Sequence, residues 1–192
     1  MNYRKVYSKL FEECLDYNCS GNATVPRYEW MSEWLVKLQA RSLLDVGCGK
    51  GLFFRKVREA GSEVCLGGFD LKVFHDVEGV VMGVGNLVGT EDPLWGGWDV
   101  VTCMDVLEHL KVEDVPLAVQ RVCRAGREVG ISVSNHSDVW DGMELHLTQR
   151  DRDWWREKLE KRMEIRAERE ANEGQTYMFW GSRLETLPVG RM

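Results

Sequence analysis

Two aspartates and three glycines between them carry the strongest chemical signal in this 192-residue chain. In LLDVGCGKG, residues 43–51, an apolar run ends around Asp45 and passes directly into Gly47, Cys48, Gly49 and Gly51. A residue without a β-carbon can take tight-turn dihedrals and lets a ligand lie against the main chain, so Gly47 and Gly49 mark a place of close approach. Asp70 ends VCLGGFD nineteen positions beyond Gly51, close to the roughly 20-residue offset of a ribose-binding carboxylate. A carboxylate can accept both hydrogen bonds of a ribose diol. A dinucleotide fingerprint would place its third glycine at position 52, which is Leu52 here. Asp45 beside a pyrophosphate would be repulsive, whereas beside an ammonium or sulfonium it is attractive. The implied ligand is a cationic nucleoside without pyrophosphate.

The elements that must position these groups follow from periodicity. Helical spacing of apolar residues is expected over residues 1–16 and again over 28–39, with the polar stretch YNCSGNATVPR between them as a loop. The aromatic residues Trp30 and Trp34 of the second helix are read as packing on a sheet rather than as ligand contacts. GLFFRKVREAG follows the glycine loop as a helix stopped by Gly61. Strands near 42–46, 64–69, 80–84, 98–104 and 128–134 alternate with helices, the pattern of a parallel sheet covered on both faces. A helix over 113–124, with Glu113 and Asp114 in its first turn, buries Val115, Ala118, Val119 and Val122. A further helix from Arg150 to Lys161 turns Trp155 and Leu159 inward. MEIRAERE and QTYMFWGSR alternate like paired strands.

Composition excludes several classes. A net charge of −6 and a pI near 5.3 supply no basic field for collecting phosphates, which disfavours long nucleic acid as a substrate. No apolar run is long enough to span a membrane and no export leader is legible, so a cytoplasmic location is expected. Six scattered cysteines without a C-x-x-C pair indicate reduced thiols, with Cys48 a small filler of the loop and not a nucleophile. The Asn22-Ala23-Thr24 sequon reads as a chance match.

On the residues of the glycine loop and Asp70, together with WDVVTCMDVLEHL and RVCRAGREVGISVSN, the chain resembles the class I S-adenosylmethionine-dependent methyltransferases over roughly residues 40–135. The resemblance implies a doubly wound, Rossmann-like α/β fold with a seven-stranded, mostly parallel sheet, helices on both faces and an N-terminal helical segment. It implies that Asp45, Gly47, Cys48, Gly49 and Gly51 hold the methionine and ribose portion of S-adenosyl-L-methionine, and that Asp70 takes the ribose hydroxyls. Leu71 and Met104 complete the cofactor wall. In this family an acidic residue after the third strand often meets the adenine amino group. Here VMGVGNL presents Asn86, whose amide oxygen can accept the same bond beside the Leu87 backbone, or which simply ends the strand. The expected organisation is one domain over 1–192, with 1–40 as a helical cap and 41–192 as the core.

Methyl transfer from a sulfonium is an in-line displacement with an activated electrophile, so it can rest on proximity and orientation, with a base needed only if the acceptor must lose a proton. Ligands of such sheets bind beyond the carboxyl ends of the strands, which places MDVLEHL and the long polar loop SNHSDVWDGMELHLTQ beside the acceptor. His109, His136 and His146 are therefore the candidate base or acceptor-positioning residues, with Asp138 and Trp140 nearby. Asp105, Glu108 and His109 also form D-x-x-E-H, which with His136 or His146 would make an oxygen-and-nitrogen cation site. A V-L-E-H tetrad is common in metal-free members of the resembled family as well, and the metal-free reading is the one adopted. The expected reaction is methylation of an oxygen or nitrogen of a small polar acceptor. The competing readings are a metal-assisted O-methyltransferase of a small molecule or RNA end, and a silent adenosyl-binding module.

Overall fold

The computed structural model describes residues 3–14, 24–90 and 94–185. Two N-terminal helices, α1 (Tyr3–Glu13) and α2 (Thr24–Lys37), precede an alternation of β1 (Ser42–Val46), α3 (Leu52–Glu59), β2 (Cys65–Asp70), β3 (Val80–Val84), β4 (Trp98–Met104), α4 (Val115–Ala125) and β5 (Gly126–Ser134). The chain continues through a short hairpin, β6 (Val139–Trp140) and β7 (Met143–Glu144), to α5 (Arg152–Glu160), β8 (Met163–Ala171) and β9 (Thr176–Arg183). Seven of the strands form one sheet in the order β3-β2-β1-β4-β5-β9-β8. The first five are mutually parallel, and β9 pairs antiparallel to both β5 and β8. This is the expected doubly wound arrangement.

Strand alternation sends successive side chains to opposite faces and so builds two cores. On one face Leu44, Val46, Val101 and Cys103 meet Ala118, Val119 and Val122 of α4 and Trp155 and Leu159 of α5. On the other, Leu43, Leu66 and Val100 meet Trp30 and Met31 of α2 and Phe53, Phe54 and Val57 of α3. Trp34 stacks on Trp180 of β9 with the rings 5.2 Å apart and nearly coplanar, so both tryptophans of α2 serve packing. The sheet order reverses between β1 and β4, and in open α/β sheets the crevice beyond the strand ends at such a point takes the ligand.

Several boundaries differ from the sequence expectation. Helix α2 starts at Thr24 rather than 28 because Pro26 falls in its first turn, where a missing N–H removes no intrahelical bond. Asp114 occupies the N-cap of α4 without a side-chain cap bond, so neither it nor Glu113 lies in the first turn. The hairpin β6-β7 lies inside the segment expected to be a loop, and its tip, Asp141-Gly142, has positive φ at both residues, the requirement of a tight two-residue turn. Cys14, Cys48, Cys65, Cys103 and Cys123 are free thiols, while Cys19, Asn22 and Ala23 lie outside the described residues. No helix among the described residues is long and apolar enough to cross a membrane.

Candidate functional site

The turn after β1 is stripped of side chains because the main chain curls there. Gly47, Gly49 and Gly51 have φ of 77°, 48° and 69°, in the left-handed region that β-carbons disfavour. A β-carbon on Gly47 would meet Val106 Cγ2 at 2.2 Å, so the turn and the segment after β4 close on one another. The Gly47 and Cys48 N–H groups donate to the Phe69 carbonyl at 2.7 and 3.3 Å, tying the loop to the end of β2. Gly49 N–H donates to Asp70 Oδ2 at 2.8 Å, and Leu71 N–H donates to Asp70 Oδ1 at 2.6 Å. Each carboxylate oxygen is thereby aimed, with a second lone pair left for a ligand. Burial pushes the Asp70 carboxyl up to about 6, opposed by these two N–H bonds.

A cleft open to solvent at its mouth lies over this loop. Gly47, Cys48, Gly49, Asp70 and Leu71 line it, with Asn86, Leu87, Met104 and His109. Asn86 turns its Oδ1 onto the Val88 N–H at 3.1 Å, an Asx turn just after β3, so its oxygen caps a turn while its residue lines the cleft. Asp45 is placed differently from a wall residue. It sits buried beneath the loop, opposite Thr102 in the β1-β4 register, and Thr102 Oγ1 donates to Asp45 Oδ1 at 2.7 Å. Burial pushes its carboxyl up to about 7, against that hydrogen bond. Gly51 likewise stands below the cleft, as the N-cap of α3.

The three histidines form a chain of which only His109 lines the cleft. His146 packs against His109 and His136, with ring centroids 4.7 and 4.8 Å apart. His136 and His146, expected beside the acceptor with His109, do not line this cleft: the segment after β5 folds back as a hairpin and leaves His146 buried against His109. His109 Nδ1 lies 3.1 Å from the Leu145 carbonyl and 2.7 Å from the Tyr7 hydroxyl. A carbonyl can only accept, which assigns the proton to Nδ1 and leaves the Nε2 lone pair. His146 Nδ1 lies 2.7 Å from the His136 carbonyl and takes the same tautomer. Burial, then the nearby His146, lower His109 to about 4, so its ring is neutral at physiological pH. Beside these rings, Glu108 is wholly buried, and one donor atom each from Glu108, His109 and His146 lie within 4.8 Å of one another.

The N-terminal helices, expected as a cap, bring to the cleft residues that the sequence did not single out as site residues. Tyr7 and Phe11 of α1, and Arg27 and Tyr28 of α2, also line the cleft. Arg27 is buried and pairs with Asp105 at 2.5 Å, and Asp105 also accepts from Ser132 Oγ at 3.0 Å. Asp105 is therefore spoken for by a cation and does not stand free beside Glu108. Aromatic spacing in α1 was the one available signal for this wall, and Arg27 had none.

A family model described as a methyltransferase domain matches residues 3–182. The chain belongs to that family, with the fold of the class I S-adenosylmethionine-dependent methyltransferases. A ubiquinone biosynthesis O-methyltransferase of Bordetella avium is 38% identical over 107 residues, covering 52% of this chain and 43% of that protein. The chain spans about half the length of the curated relatives it matches. Among solved structures, magnesium protoporphyrin IX methyltransferase from Synechocystis PCC 6803 with bound SAH superposes with a TM-score of 0.66 at 15% identity, over 94% of this chain and all of that one. An O-methyltransferase family protein from Burkholderia thailandensis gives 0.62 at 19% identity, over 84% of this chain and 56% of that one.

Proposed function

We propose that this chain binds S-adenosyl-L-methionine in the cleft over the Gly47–Gly51 loop and transfers its methyl group to an oxygen of a small polar acceptor. The carrying observation is the pairing of a main chain without β-carbons at Gly47 and Gly49 with a carboxylate at Asp70 that two N–H groups hold in place. These groups fit the cofactor: bare amides for the methionine and ribose portion, Asp70 for the ribose hydroxyls, and Leu71, Leu87, Met104 and the Asn86 turn for the adenosyl moiety. When bound, the cofactor supplies an already activated methyl on a sulfonium. Asp45, one layer beneath the loop, adds negative potential that favours a cation above it. Cys48 fills the loop, its thiol pushed up by burial and by the neighbouring aspartates, so it stays protonated and takes no nucleophilic part.

On the acceptor side, His109 faces the cleft with Nδ1–H fixed, and offers its Nε2 lone pair to an acceptor hydroxyl. His146 and His136 support it from behind. Tyr7, Phe11 and Tyr28 add aromatic surface to the cleft, which suits a reaction resting on orientation and desolvation. The name shared by the curated relatives favours oxygen over nitrogen as the methylated atom. The acidic balance favours a small acceptor over long nucleic acid, and the absence of a membrane-crossing helix among the described residues supports a cytoplasmic location. Residues 1–192 are read as one domain, with 1–40 capping the core.

Calorimetric titration with S-adenosylhomocysteine tests the cofactor assignment. Asp70→Ala is expected to lose about 1–3 kcal/mol of binding through two charge-assisted hydrogen bonds. Unchanged affinity in the variant would remove Asp70 from the site, and no binding by the native chain would overturn the reading.

A further inference from the structure

We propose that Arg121 of α4 is a positioning residue for the adenine of the bound cofactor: its guanidinium clamps the turn after β3, whose main chain meets the base. This role builds on the adenosyl reading of the cleft and falls to a residue outside the cleft wall. The run RVCRAGREVGISVSN holds three arginines. Arg124 and Arg127 are exposed, whereas Arg121 is only 7% exposed and lies among the buried apolar residues of α4. A guanidinium cannot shed its charge, so its burial is costly unless its N–H groups are taken up by acceptors. Arg121 Nη1 donates to the Leu87 carbonyl at 2.7 Å and to the Gly89 carbonyl at 2.9 Å, 34 and 32 positions away in sequence. Hydrogen bonds from a charged donor are about twice as strong as neutral ones. Two of them from one nitrogen fix both the place and the orientation of a short turn.

The turn is also held from within and from β2. The Gly89 N–H donates to the Asn86 carbonyl at 3.0 Å, and the Val88 N–H donates to Asn86 Oδ1 at 3.1 Å. The Gly85 N–H donates to the Asp70 carbonyl at 3.0 Å, which ties the start of the turn to the residue assigned to the ribose. The peptide bonds here are trans, so the N–H and C=O of one peptide point opposite ways. The Asn86 carbonyl faces the Gly89 N–H, and the Leu87 N–H therefore points out of the turn, at a residue that lines the cleft. Adenine offers an acceptor at N1 beside a donor at its 6-amino group, which the Leu87 N–H and the second lone pair of Asn86 Oδ1 match. Hypoxanthine reverses both, with a donor at N1 and an acceptor at O6. Telling the two apart requires that donor and acceptor stay in register, and the clamp on the Leu87 and Gly89 carbonyls keeps them so. Without Arg121 the Leu87 carbonyl loses a buried partner, and the turn between Gly85 and Gly89 must shift to regain one.

Calorimetric titration of the native chain and Arg121→Met with S-adenosylhomocysteine and with S-inosylhomocysteine, which differs only in carrying hypoxanthine, reads the clamp directly. The native chain is expected to favour the adenine compound by about 10-fold or more, the scale of leaving buried hydrogen bonds unmade. Arg121→Met keeps an unbranched stem and removes the donor, and its preference is expected to shrink by at least about fivefold. A purely structural role would lower both affinities by one common factor, so an unchanged ratio in a variant that circular dichroism shows to be folded overturns the assignment. Should Arg121→Met not fold, Arg121→Gln, which retains a neutral donor, carries the same test: a reduced ratio supports the clamp and an unchanged one overturns it. Equal binding of the two compounds by the native chain overturns the clamp and leaves the cofactor reading standing, whereas no binding of S-adenosylhomocysteine by the native chain overturns both.

Discussion

Replacing Gly49 and Gly61 by alanine, one at a time, separates the cost of backbone conformation from the cost of blocking a ligand. Both residues have positive φ, 48° and 74°, so each substitution forces a β-carbon into the left-handed region at about 1–2 kcal/mol. For a chain of this size that lowers Tm by about 2–8 °C in either variant. Their surroundings differ. The Gly61 β-carbon would meet nothing within 4 Å, beyond the end of α3 and away from the cleft. The Gly49 β-carbon would stand 3.5 Å from Phe11 Cζ, an ordinary contact, and both residues line the cleft. The protein tolerates that methyl group, and the bound molecule is what it displaces. Overpacking by one carbon costs about 1–3 kcal/mol, which corresponds to roughly a 5- to 150-fold loss of affinity. S-adenosylhomocysteine titrated calorimetrically into both variants should bind G61A within about twofold of the native chain and G49A far more weakly, a gap of about 1 kcal/mol or more. Equal affinities would refute the idea that ligand lies directly on the main chain of the loop.

Affinity for the cofactor product should also depend on pH. Burial raises Asp70 to about 6, and ribose hydroxyls bind its anion better, so affinity is expected to rise between pH 5 and 7, approaching tenfold per unit below the midpoint. A flat profile from pH 5 to 8 would contradict the assignment. Thr102→Val removes the hydroxyl that donates to buried Asp45, whose carboxyl is raised to about 7. A raised carboxyl means the folded state holds its proton more tightly than the unfolded chain, so its contribution to stability falls as pH climbs from about 4 through 7. The variant should therefore lose about 0.5–1.5 kcal/mol at pH 5.5, where Asp45 is neutral, and about 1.5–3 kcal/mol at pH 8.5, where it is charged. Urea unfolding at the two values checks this, and a pH-independent loss would mean that Asp45 does not titrate in that range.

What was legible in the sequence was what is local. The apolar run, the glycines and Asp70 prescribe a strand, a bare turn and an aimed carboxylate within thirty residues, and strand-helix alternation prescribes the parallel order of β1 to β5. The C-terminal strand pair could be read because alternation survives without knowledge of partners. Contacts between distant segments were not legible. Tyr7 meets His109 across 102 positions, and the periodicity of α1 tells which side is apolar but not what that side covers. His136 and His146 looked equivalent to His109 because polarity marks a loop without giving its path. The fold-back at Asp141-Gly142 decides which ring reaches the cleft, and that turn had a recognisable signature. Asp45 is tied to the ligand by resemblance, whereas its pairing with Thr102 comes from strand register that no local pattern reveals.

The interior position of β9 bears on how the polypeptide assembles during synthesis. β9 is made after β8 but slots between it and β5, so the hydrogen-bonding border of β5, carrying Ile131 and Val133, has no neighbour until Arg183 has left the ribosome. Through that interval a nascent chain exposes an apolar strand border of the kind that recruits other chains. Completion of the sheet is thereby a late, nearly all-at-once event.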